Sequence, residues 1–142
     1  MKATLKPGLT HRFAYEVPVN KTVPFTFPES PEIVAMPRVF ATGFMVVLIE
    51  WTCMQLLAPH LDAGEGSLGV RVDIAHLAAT PPGLTVTVDC ECLEVKGQKV
   101  AFKVRAHDGV DLIGEGRHER YVIVWDKFNA LVLKKAKAAG VV

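Results

Sequence analysis

Four residues whose side chains can transfer protons or bind anions fall where the sequence pattern predicts dry protein faces. Glu50 stands in the middle of the long apolar run 41–57. His76, His118 and Arg120 occupy alternating positions of two strand-like segments, in phase with apolar residues. Because an isolated buried charge is too costly, each group must be paired, hydrogen-bonded or partly neutralised. Carboxylates and imidazoles are also the groups that acid–base chemistry uses, and a guanidinium binds anions.

Two interpretations of this set are open. In the first, the set is an internal polar network in which Arg120 pairs with Glu50 and the histidines bond to backbone carbonyls. In the second, four such groups on converging faces of a small domain mark a functional site. Thr42, at the start of the apolar run, is explained on the first interpretation as a helix N-cap.

The elements that must position these groups follow from periodicity. Residues 41–57 are apolar on nearly all sides when placed on a helix, which predicts one long buried helix. A strand is predicted before it at 9–17. The proline-rich segment 18–37 is predicted to be an irregular connection with one short strand at 21–26. A long connection of this kind inside a small domain is usually functional, which favours a lid.

Four strands are predicted after the helix from the alternation of apolar and polar residues, at 68–79, 84–95, 98–107 and 110–125. Short turns join them, which predicts consecutive antiparallel pairing, and 126–138 is predicted to be a terminal helix. The sequence therefore predicts an α+β fold, a single domain over 1–142 in which an antiparallel sheet wraps around one central helix. A homodimer would cover the free sheet edge and the remaining apolar surface of the helix.

Composition narrows the class of protein. The formal net charge is only +1 and no basic stripe is present, so no nucleic-acid partner is expected. The N-terminal residues lack the apolar core of a signal peptide, and 44–57 is shorter than the about 20 residues that span a bilayer. The three cysteines fit neither a disulfide framework nor a zinc site, which favours the cytoplasm. No metal site is expected, because neither His76 nor His118 has a second ligand at metal-binding spacing.

Seven stretches of the chain resemble the family of the fluoroacetyl-CoA thioesterases. They are 27–32, 39–46, 64–69, 78–88, 106–111, 118–120 and 127–130. The resemblance implies the hot-dog fold and a dimeric enzyme that hydrolyses short acyl-CoA thioesters to free acid and CoA. It implies no metal and no cofactor, since coenzyme A is part of the substrate.

The same resemblance implies roles for individual residues. The family's catalytic threonine, glutamate and histidine fall on Thr42, Glu50 and His76. The glycine whose backbone N–H is thought to hold the thioester carbonyl falls on Gly69, and the arginine of the substrate pocket falls on Arg120.

Two positions of the predicted lid depart from the family's pattern. The fluoroacetyl-specific enzyme has aromatic residues where this chain has Ile33 and Met36, and those aromatics are associated with recognition of the fluorinated acyl group. Fluoroacetyl-CoA and other short acyl-CoAs therefore both stay open as substrates. His118 receives no role from the resemblance.

Helix geometry limits how these residues can meet. Thr42 and Glu50 are eight positions apart, which separates them by about 12 Å along a straight helix and by about 80° around it. His76 must therefore lie between them, or partners must come from a second subunit. We expect a composite site at a homodimer interface, in a dimer or a higher oligomer.

Several mechanisms fit that expectation. Thr42 is either the nucleophile or the hydroxyl that positions water, and His76 is the general base. Glu50 either orients His76 or activates water itself. Gly69 and the positive end of the helix would stabilise the oxyanion. Two other functions are open, namely non-hydrolytic binding of an acyl-CoA or similar ligand, and a hot-dog hydratase or dehydratase.

Overall fold

The computed structural model describes residues 1–142 and contains one five-stranded sheet and three helices. The strands are β1 Thr10–Glu16, β2 Glu65–His76, β3 Thr85–Lys96, β4 Lys99–His107 and β5 Leu112–Val124; the helices are α1 Pro31–Val34, α2 Thr42–Leu57 and α3 Trp125–Ala138. The sheet has the order β1-β3-β4-β5-β2, and every neighbouring pair is antiparallel. The five predicted strands, the central helix and the terminal helix are confirmed, with small shifts of their ends. The predicted consecutive pairing is confirmed for β3, β4 and β5 but is wrong for β2, which pairs with β5 and not with β3.

Helix α2 lies on one face of the sheet and supplies much of the core. Its buried residues are Met45, Leu48, Ile49, Thr52, Cys53, Leu56 and Leu57. They pack with the inward side chains of the sheet, which include Val86, Val88, Val100, Phe102 and Val104. With the turn that follows, the helical stretch Thr42–His60 is apolar enough to cross a membrane by length and composition alone. Core helices of soluble proteins pass the same test, and the sheet-facing side of this helix is buried in the core.

The connection between β1 and α2 differs from the prediction at one point. The short strand expected at 21–26 is absent, and Val19–Lys21 and Val23–Phe25 form 3-10 turns instead. Thr22 between them makes a single isolated bridge to Phe40. The prolines in this segment fix φ and remove N–H donors, so a continuous strand ladder is not available to it. The predicted strand at 21–26 is therefore wrong, while the irregular connection around it is confirmed.

A β-bulge in β2 decides which of its residues face the helix. The pairing with β5 shifts between Gly69 and Arg71, so Val70 is an extra residue in the ladder. Gly69 lies opposite Arg120, and His76 lies opposite Gly114. In a regular strand Gly69 and His76 would lie on opposite faces, because one has an odd number and the other an even number. The extra residue at the bulge shifts the alternation by one position, so that both residues face α2.

The outer face of the sheet carries exposed charged side chains in pairs. The separation is 2.7 Å between Arg12 Nε and Asp89 Oδ1 and 3.8 Å between Arg105 Nε and Glu115 Oε2. The widest depression of the surface, about 620 Å³, lies here among charged residues of β1, β3 and β4. Exposed ion pairs of this kind contribute little to stability, and they satisfy one another's charges. The candidate site residues that the sequence singles out all lie on the opposite side of the sheet, where α2 packs.

Strands β2 and β5 approach each other closely at Gly116. A Cβ at this position would overlap the carbonyl oxygen of Asp73 and come within 2.8 Å of Ile74 Cα. Because both atoms belong to the backbone of β2, neither can move without disturbing the pairing. We expect Gly116→Ala to lower the free energy of unfolding by about 1–3 kcal/mol or more, measured by urea denaturation.

Gly43 provides the matched control for that substitution. A Cβ at Gly43 would meet no atom within 4 Å. Because alanine favours the helix over glycine, Gly43→Ala should leave the stability unchanged or raise it by up to about 1 kcal/mol. Equal stability of Gly116→Ala and the unmodified protein would contradict the close packing of the two strands.

Candidate active site

Thr42 and His76 form a hydrogen-bonded pair at the beginning of α2. Thr42 Oγ1 lies 2.7 Å from His76 Nδ1. Thr42 is the first residue of the helix, and the N-cap is Ala41, which makes no side-chain capping bond. The predicted N-cap role of Thr42 is therefore wrong. Its hydroxyl bonds to an imidazole instead of a backbone N–H, which is the arrangement of an activated hydroxyl.

The imidazole of His76 is placed to accept a proton. It is the last residue of β2, and its Nε2 is buried without a hydrogen-bond partner in the chain. Burial lowers the pKa of His76 from its ordinary value of 6.5. The ring is therefore neutral at pH 7, and one of its nitrogens carries a lone pair. A neutral imidazole against a hydroxyl can act as a general base.

A cleft of about 400 Å³ opens beside this pair. Its walls are formed by Val23, Met36, Val39, Phe40, Thr42, His76, Leu77, Ala78 and Ala79. Met36 brings the predicted lid to the cleft. Ile33 lies one turn earlier in α1, where its N–H donates to Ser30 Oγ at 3.3 Å, and it does not line the cleft. The volume is in the range of small-molecule sites, and the lining is apolar except for the hydroxyl and the imidazole.

The start of α2 adds positive potential to this cleft. The first N–H of the helix that bonds back along the chain is that of Met45, which donates to the carbonyl of Ala41 at 2.9 Å. The amides before it have no helical acceptor, as in every α-helix. They point out of the helix end where the helix dipole favours negative charge. An oxyanion formed next to Thr42 would be stabilised there.

Glu50 and Arg120 form a second centre farther along the helix. Arg120 Nη1 donates to Glu50 Oε1 at 3.2 Å. The guanidinium is only 4 % exposed, and Nε and Nη2 donate to the hydroxyl and the carbonyl of Ser67 at 2.8 and 2.9 Å. Burial lowers the pKa of Arg120, yet a guanidinium stays protonated at neutral pH. The predicted pairing of Arg120 with Glu50 is confirmed.

His118 lies against the same pair and is fully buried. Its Nδ1 is 2.8 Å from the carbonyl oxygen of Arg71, and its Nε2 is 3.2 Å from Arg120 Nη1. Burial lowers the pKa of His118, so the ring is neutral at pH 7. Its Nε2 is also 3.8 Å from Glu50 Oε1, but a neutral ring forms no ion pair. The expected bond from a histidine to a backbone carbonyl is confirmed for His118.

Gly69 completes the second centre. A Cβ at Gly69 would overlap Glu50 Oε1 and come within 3.3 Å of His118 Cε1. The carboxylate can therefore lie against the backbone of β2 only because residue 69 has no side chain. We call Glu50, Gly69, Arg120 and His118 the carboxylate cluster, and Thr42 with His76 the helix-start pair.

Within one chain the predicted site residues are divided between these two groups. Thr42 and Glu50 are eight residues apart on α2, or about 12 Å along its axis. Gly69 and His76 are seven residues apart on β2, or about 20 Å along the strand. His76 does not bridge Thr42 and Glu50 in the chain. The contacts of His118 with Arg120 and Glu50 were not predicted from the sequence, although its place on an apolar face was the available signal.

Comparison with known proteins supplies the family. The family model described as "FlK: Fluoroacetyl-CoA-specific thioesterase" matches residues 21–126. The fluoroacetyl-CoA thioesterase of Streptantibioticus cattleyicolor is 52% identical over 138 residues, which are 97% of this chain and 99% of that protein. This chain belongs to the FlK family of fluoroacetyl-CoA-specific thioesterases. The family resemblance seen in the sequence is confirmed.

Solved structures agree with this assignment. A structure of the fluoroacetyl-CoA thioesterase FlK, with a threonine replaced by serine and in complex with acetyl-CoA, is 52% identical and has a TM-score of 0.91. The alignment covers 92% of this chain and 98% of the FlK chain. A thioesterase superfamily member from Thermus thermophilus is 29% identical, with a TM-score of 0.84 and coverage of 95% and 96%. The predicted α+β hot-dog fold is confirmed.

The two buried histidines predict how stability depends on pH. Because burial lowers the pKa of His76 and His118 in the folded state, the unfolded chain binds protons more readily. The free energy of unfolding should change little between about pH 7.5 and 7 and fall as the pH drops below about 6.5. Urea denaturation between about pH 7.5 and 5 measures this, above the range in which carboxyl groups titrate.

A substitution separates the histidine effect from general acid sensitivity. His118→Gln removes one of the two ionisations and should flatten the loss of stability on the acid side. His11→Gln is the matched control, because His11 lies outside both groups, with its Nε2 2.8 Å from Gln55 Oε1. A stability that does not change between pH 7 and 5 would show that neither ring is held neutral by the fold.

Proposed function

We propose that this protein is a thioester hydrolase that converts short acyl-CoA thioesters to the free acid and coenzyme A. The observation that carries this proposal is the 2.7 Å contact between Thr42 Oγ1 and His76 Nδ1 at a helix start beside an apolar cleft. Membership of the FlK family and the 52% identical fluoroacetyl-CoA thioesterase support it.

The helix-start pair can begin the reaction. Thr42 donates its hydroxyl hydrogen to Nδ1 of the neutral His76, and either its oxygen or a water molecule that it positions attacks the thioester carbonyl. His76 takes the proton from the attacking group. The carbonyl electrons move to oxygen, and the free amides at the start of α2 stabilise that oxyanion. When the C–S bond breaks, protonated His76 can return a proton to the thiolate of coenzyme A. Attack by water gives the free acid directly, whereas attack by Thr42 leaves an acyl ester on its oxygen, which a water molecule deprotonated by His76 then hydrolyses to the free acid.

The Nε2 atom of His76 requires a further partner for this scheme. A carboxylate that accepts from Nε2–H would fix the tautomer in which Nδ1 carries the lone pair towards Thr42. Glu50 is the carboxylate that the family resemblance assigns to the site, but within one chain it lies about 12 Å along α2 from Thr42, too far to reach the helix-start pair. We therefore propose that Glu50 of a second subunit acts on the helix-start pair.

Strand β2 is the edge at which such a dimer would form. It is the last strand in the sheet order, and Val70 and Val72 are about half exposed, at 54% and 48%. An exposed apolar edge strand is a template for pairing with another chain. A two-fold axis near Val72 would pair two copies of β2 antiparallel, so that the Gly69 end of one lies beside the His76 end of the other. The carboxylate cluster of one subunit would then face the helix-start pair of its partner.

The acyl preference depends on the lid. Met36 lines the cleft, and it is 48% exposed. Methionine is unbranched and adapts its shape, in contrast with the aromatic residues of the fluoroacetyl-specific enzyme. We propose that the cleft accepts several short acyl groups and discriminates less between fluoroacetyl and acetyl groups than an aromatic lid does. Ile33 would act on the acyl group only through the position of α1.

We also propose a cytoplasmic location. It is supported by Cys53, Cys90 and Cys92, all of which are buried free thiols. No group of three or more histidine, cysteine or acidic residues could hold a metal ion. The proposed reaction uses only the side chains and amides described above.

Release of free coenzyme A tests the reaction. The unmodified protein should release thiol from acetyl-, fluoroacetyl- or propionyl-CoA well above the uncatalysed rate, measured with a thiol reagent. Thr42→Ala, His76→Ala and Glu50→Gln should each lower kcat/KM by about 10²–10⁴-fold, the usual contribution of a nucleophile or general base. His60→Gln is the control, since His60 bonds Thr4 on the exposed surface.

The same assay separates the other two functions. A non-hydrolytic acyl-CoA binder would bind the substrates without releasing thiol from any of them. A hydratase would add water to an enoyl-CoA and leave the thioester intact. The hydrolase proposal is wrong if the unmodified protein and Glu50→Gln release thiol at the same background rate on every acyl-CoA. Longer acyl chains in the same panel measure the size limit of the cleft.

Mixed dimers test where Glu50 acts. Glu50→Gln and His76→Ala are each nearly inactive alone, and the two proteins are unfolded together and refolded as a mixture. If the site is shared, each mixed dimer has one intact site, made of His76 from one subunit and Glu50 from the other. Random pairing should restore about a quarter of the unmodified activity.

A site contained in one chain predicts a different result. Each subunit of a mixed dimer would then carry one defect, and the mixture would be as inactive as its components. A mixture of two Glu50→Gln preparations, refolded in parallel, is the control for recovery through refolding alone. No recovery in the mixture, with dimers confirmed by size, would overturn the shared site.

A further inference from the structure

His118 is the one member of the carboxylate cluster without an assigned role, and its contacts are unusually specific. The imidazole is fully buried on the inner face of β5. It contacts three polar partners, which are the carbonyl of Arg71, the guanidinium of Arg120 and the carboxylate of Glu50. A histidine kept only for packing needs one such partner to satisfy its N–H.

The partners of His118 determine which nitrogen carries the hydrogen. A carbonyl oxygen can only accept, so the 2.8 Å contact with Arg71 requires an N–H at Nδ1. A guanidinium can only donate, so the 3.2 Å contact with Arg120 Nη1 requires a lone pair at Nε2. Both requirements are met only by the neutral ring protonated at Nδ1.

The Nη1 group of Arg120 is shared between His118 and Glu50. It lies 3.2 Å from His118 Nε2 and 3.2 Å from Glu50 Oε1. The other two sides of the guanidinium are held by the hydroxyl and the carbonyl of Ser67. The imidazole therefore completes a three-sided clamp that leaves the guanidinium one orientation, and this orientation fixes Glu50 Oε1.

We propose that His118 is the positioning residue of this thioesterase, because its Nε2 lone pair fixes Arg120 and through it holds the carboxylate of Glu50 in the orientation that the reaction needs. The proposal rests on the proposed function, in which Glu50 acts on the helix-start pair. In that reaction His118 acts only through Arg120 and Glu50.

The ring of His118 also contacts the bulge of β2. Arg71 is the first residue after the register shift, and its carbonyl accepts the Nδ1–H of His118. Gly69, on the other side of the shift, lies against both Glu50 and the ring, since a Cβ there would meet both. One imidazole thus ties the bulge to the guanidinium and the carboxylate. Loss of its hydrogen bonds should loosen Gly69 and Glu50 together.

Protonation of the ring would reverse its effect on Arg120. A hydrogen on Nε2 would point at a group that can only donate, and two cations would lie side by side. The charged groups that act on the ring are Glu50 from α2, Arg120 from the same face of β5 and Glu119 from the opposite face of β5. The two carboxylates favour the protonated ring, but burial and Arg120 oppose it, and the pKa of His118 is lowered. His118 is therefore neutral at pH 7.

Substitutions at residue 118 separate positioning from packing. His118→Leu keeps an apolar side chain of similar bulk without either hydrogen bond, and we expect kcat to fall by about 10²-fold, the effect of a misplaced catalytic group. His118→Gln keeps an acceptor for Arg120 and should regain most of that loss. His11→Gln is the control and should retain full activity. Thermal unfolding of each variant shows whether it is folded.

The acid limb of the pH profile gives a readout that packing would not change. In the unmodified protein, His76 and His118 must both be neutral, so the slope of log kcat/KM against pH should approach two at low pH. In His118→Gln only His76 remains, and the slope should be one. An unchanged slope, or full activity of a folded His118→Leu, would overturn the proposal.

The tautomer can be observed without any activity. Nitrogen chemical shifts of ¹⁵N-labelled histidine distinguish the two neutral tautomers, and the signal lost in His118→Gln assigns the ring. We expect the Nδ1–H form at pH 7. The Nε2–H form or a charged ring would overturn the proposal even if the protein hydrolyses no acyl-CoA. Absence of thioester hydrolysis, with the expected tautomer, would reject the proposed function and the positioning role but leave the clamp in place.

Discussion

The burial of one guanidinium governs the inner face of this sheet. Arg120 is only 4 % exposed, and a cation at that depth requires a carboxylate and acceptors for its remaining donors. Glu50 is the carboxylate, and it comes from the middle of α2. Because Glu50 can reach the guanidinium in only one rotation of the helix, the ion pair fixes which side of α2 faces β2 and β5. The same rotation turns the apolar residues of α2 towards β3 and β4.

That arrangement has a consequence at the start of the helix. Once Glu50 is fixed, Thr42 lies about two turns earlier, at the end of β2 where His76 is placed. The hydroxyl is therefore directed by the long helix and the imidazole by the edge strand. Neither residue needs a flexible loop, and sites built on helices and strands are held more precisely than sites on loops. The lid, which contributes Met36, is the part of the cleft that a change of sequence can alter without moving the pair.

Much of this could be predicted from the sequence because the signals were local. The alternation of apolar residues predicted four strands, and the unbroken apolar run predicted α2. The pairing of Arg120 with Glu50 followed from the cost of buried charge. The N-cap role of Thr42 was wrong because capping is a statistical preference, and the competing acceptor, His76, comes from a strand far along the chain. The prediction of a short strand at 21–26 failed for a local reason, the loss of the N–H donor at Pro24.

The bulge in β2 could not be predicted, and it is the feature on which the site depends. An extra residue in a ladder leaves no mark in an alternating sequence when both neighbours, Gly69 and Val70, are compatible with a strand. Without it Gly69 and His76 would face opposite sides of the sheet, and no pairing of two edges could bring them together. With it both lie on the inner face of an edge strand, at opposite ends of its exposed part. A two-fold axis is the simplest operation that brings such ends together, because antiparallel pairing of identical strands always sets one end against the other. The bulge thus supports the same proposal as the separation of Glu50 from His76, namely a site shared between two chains.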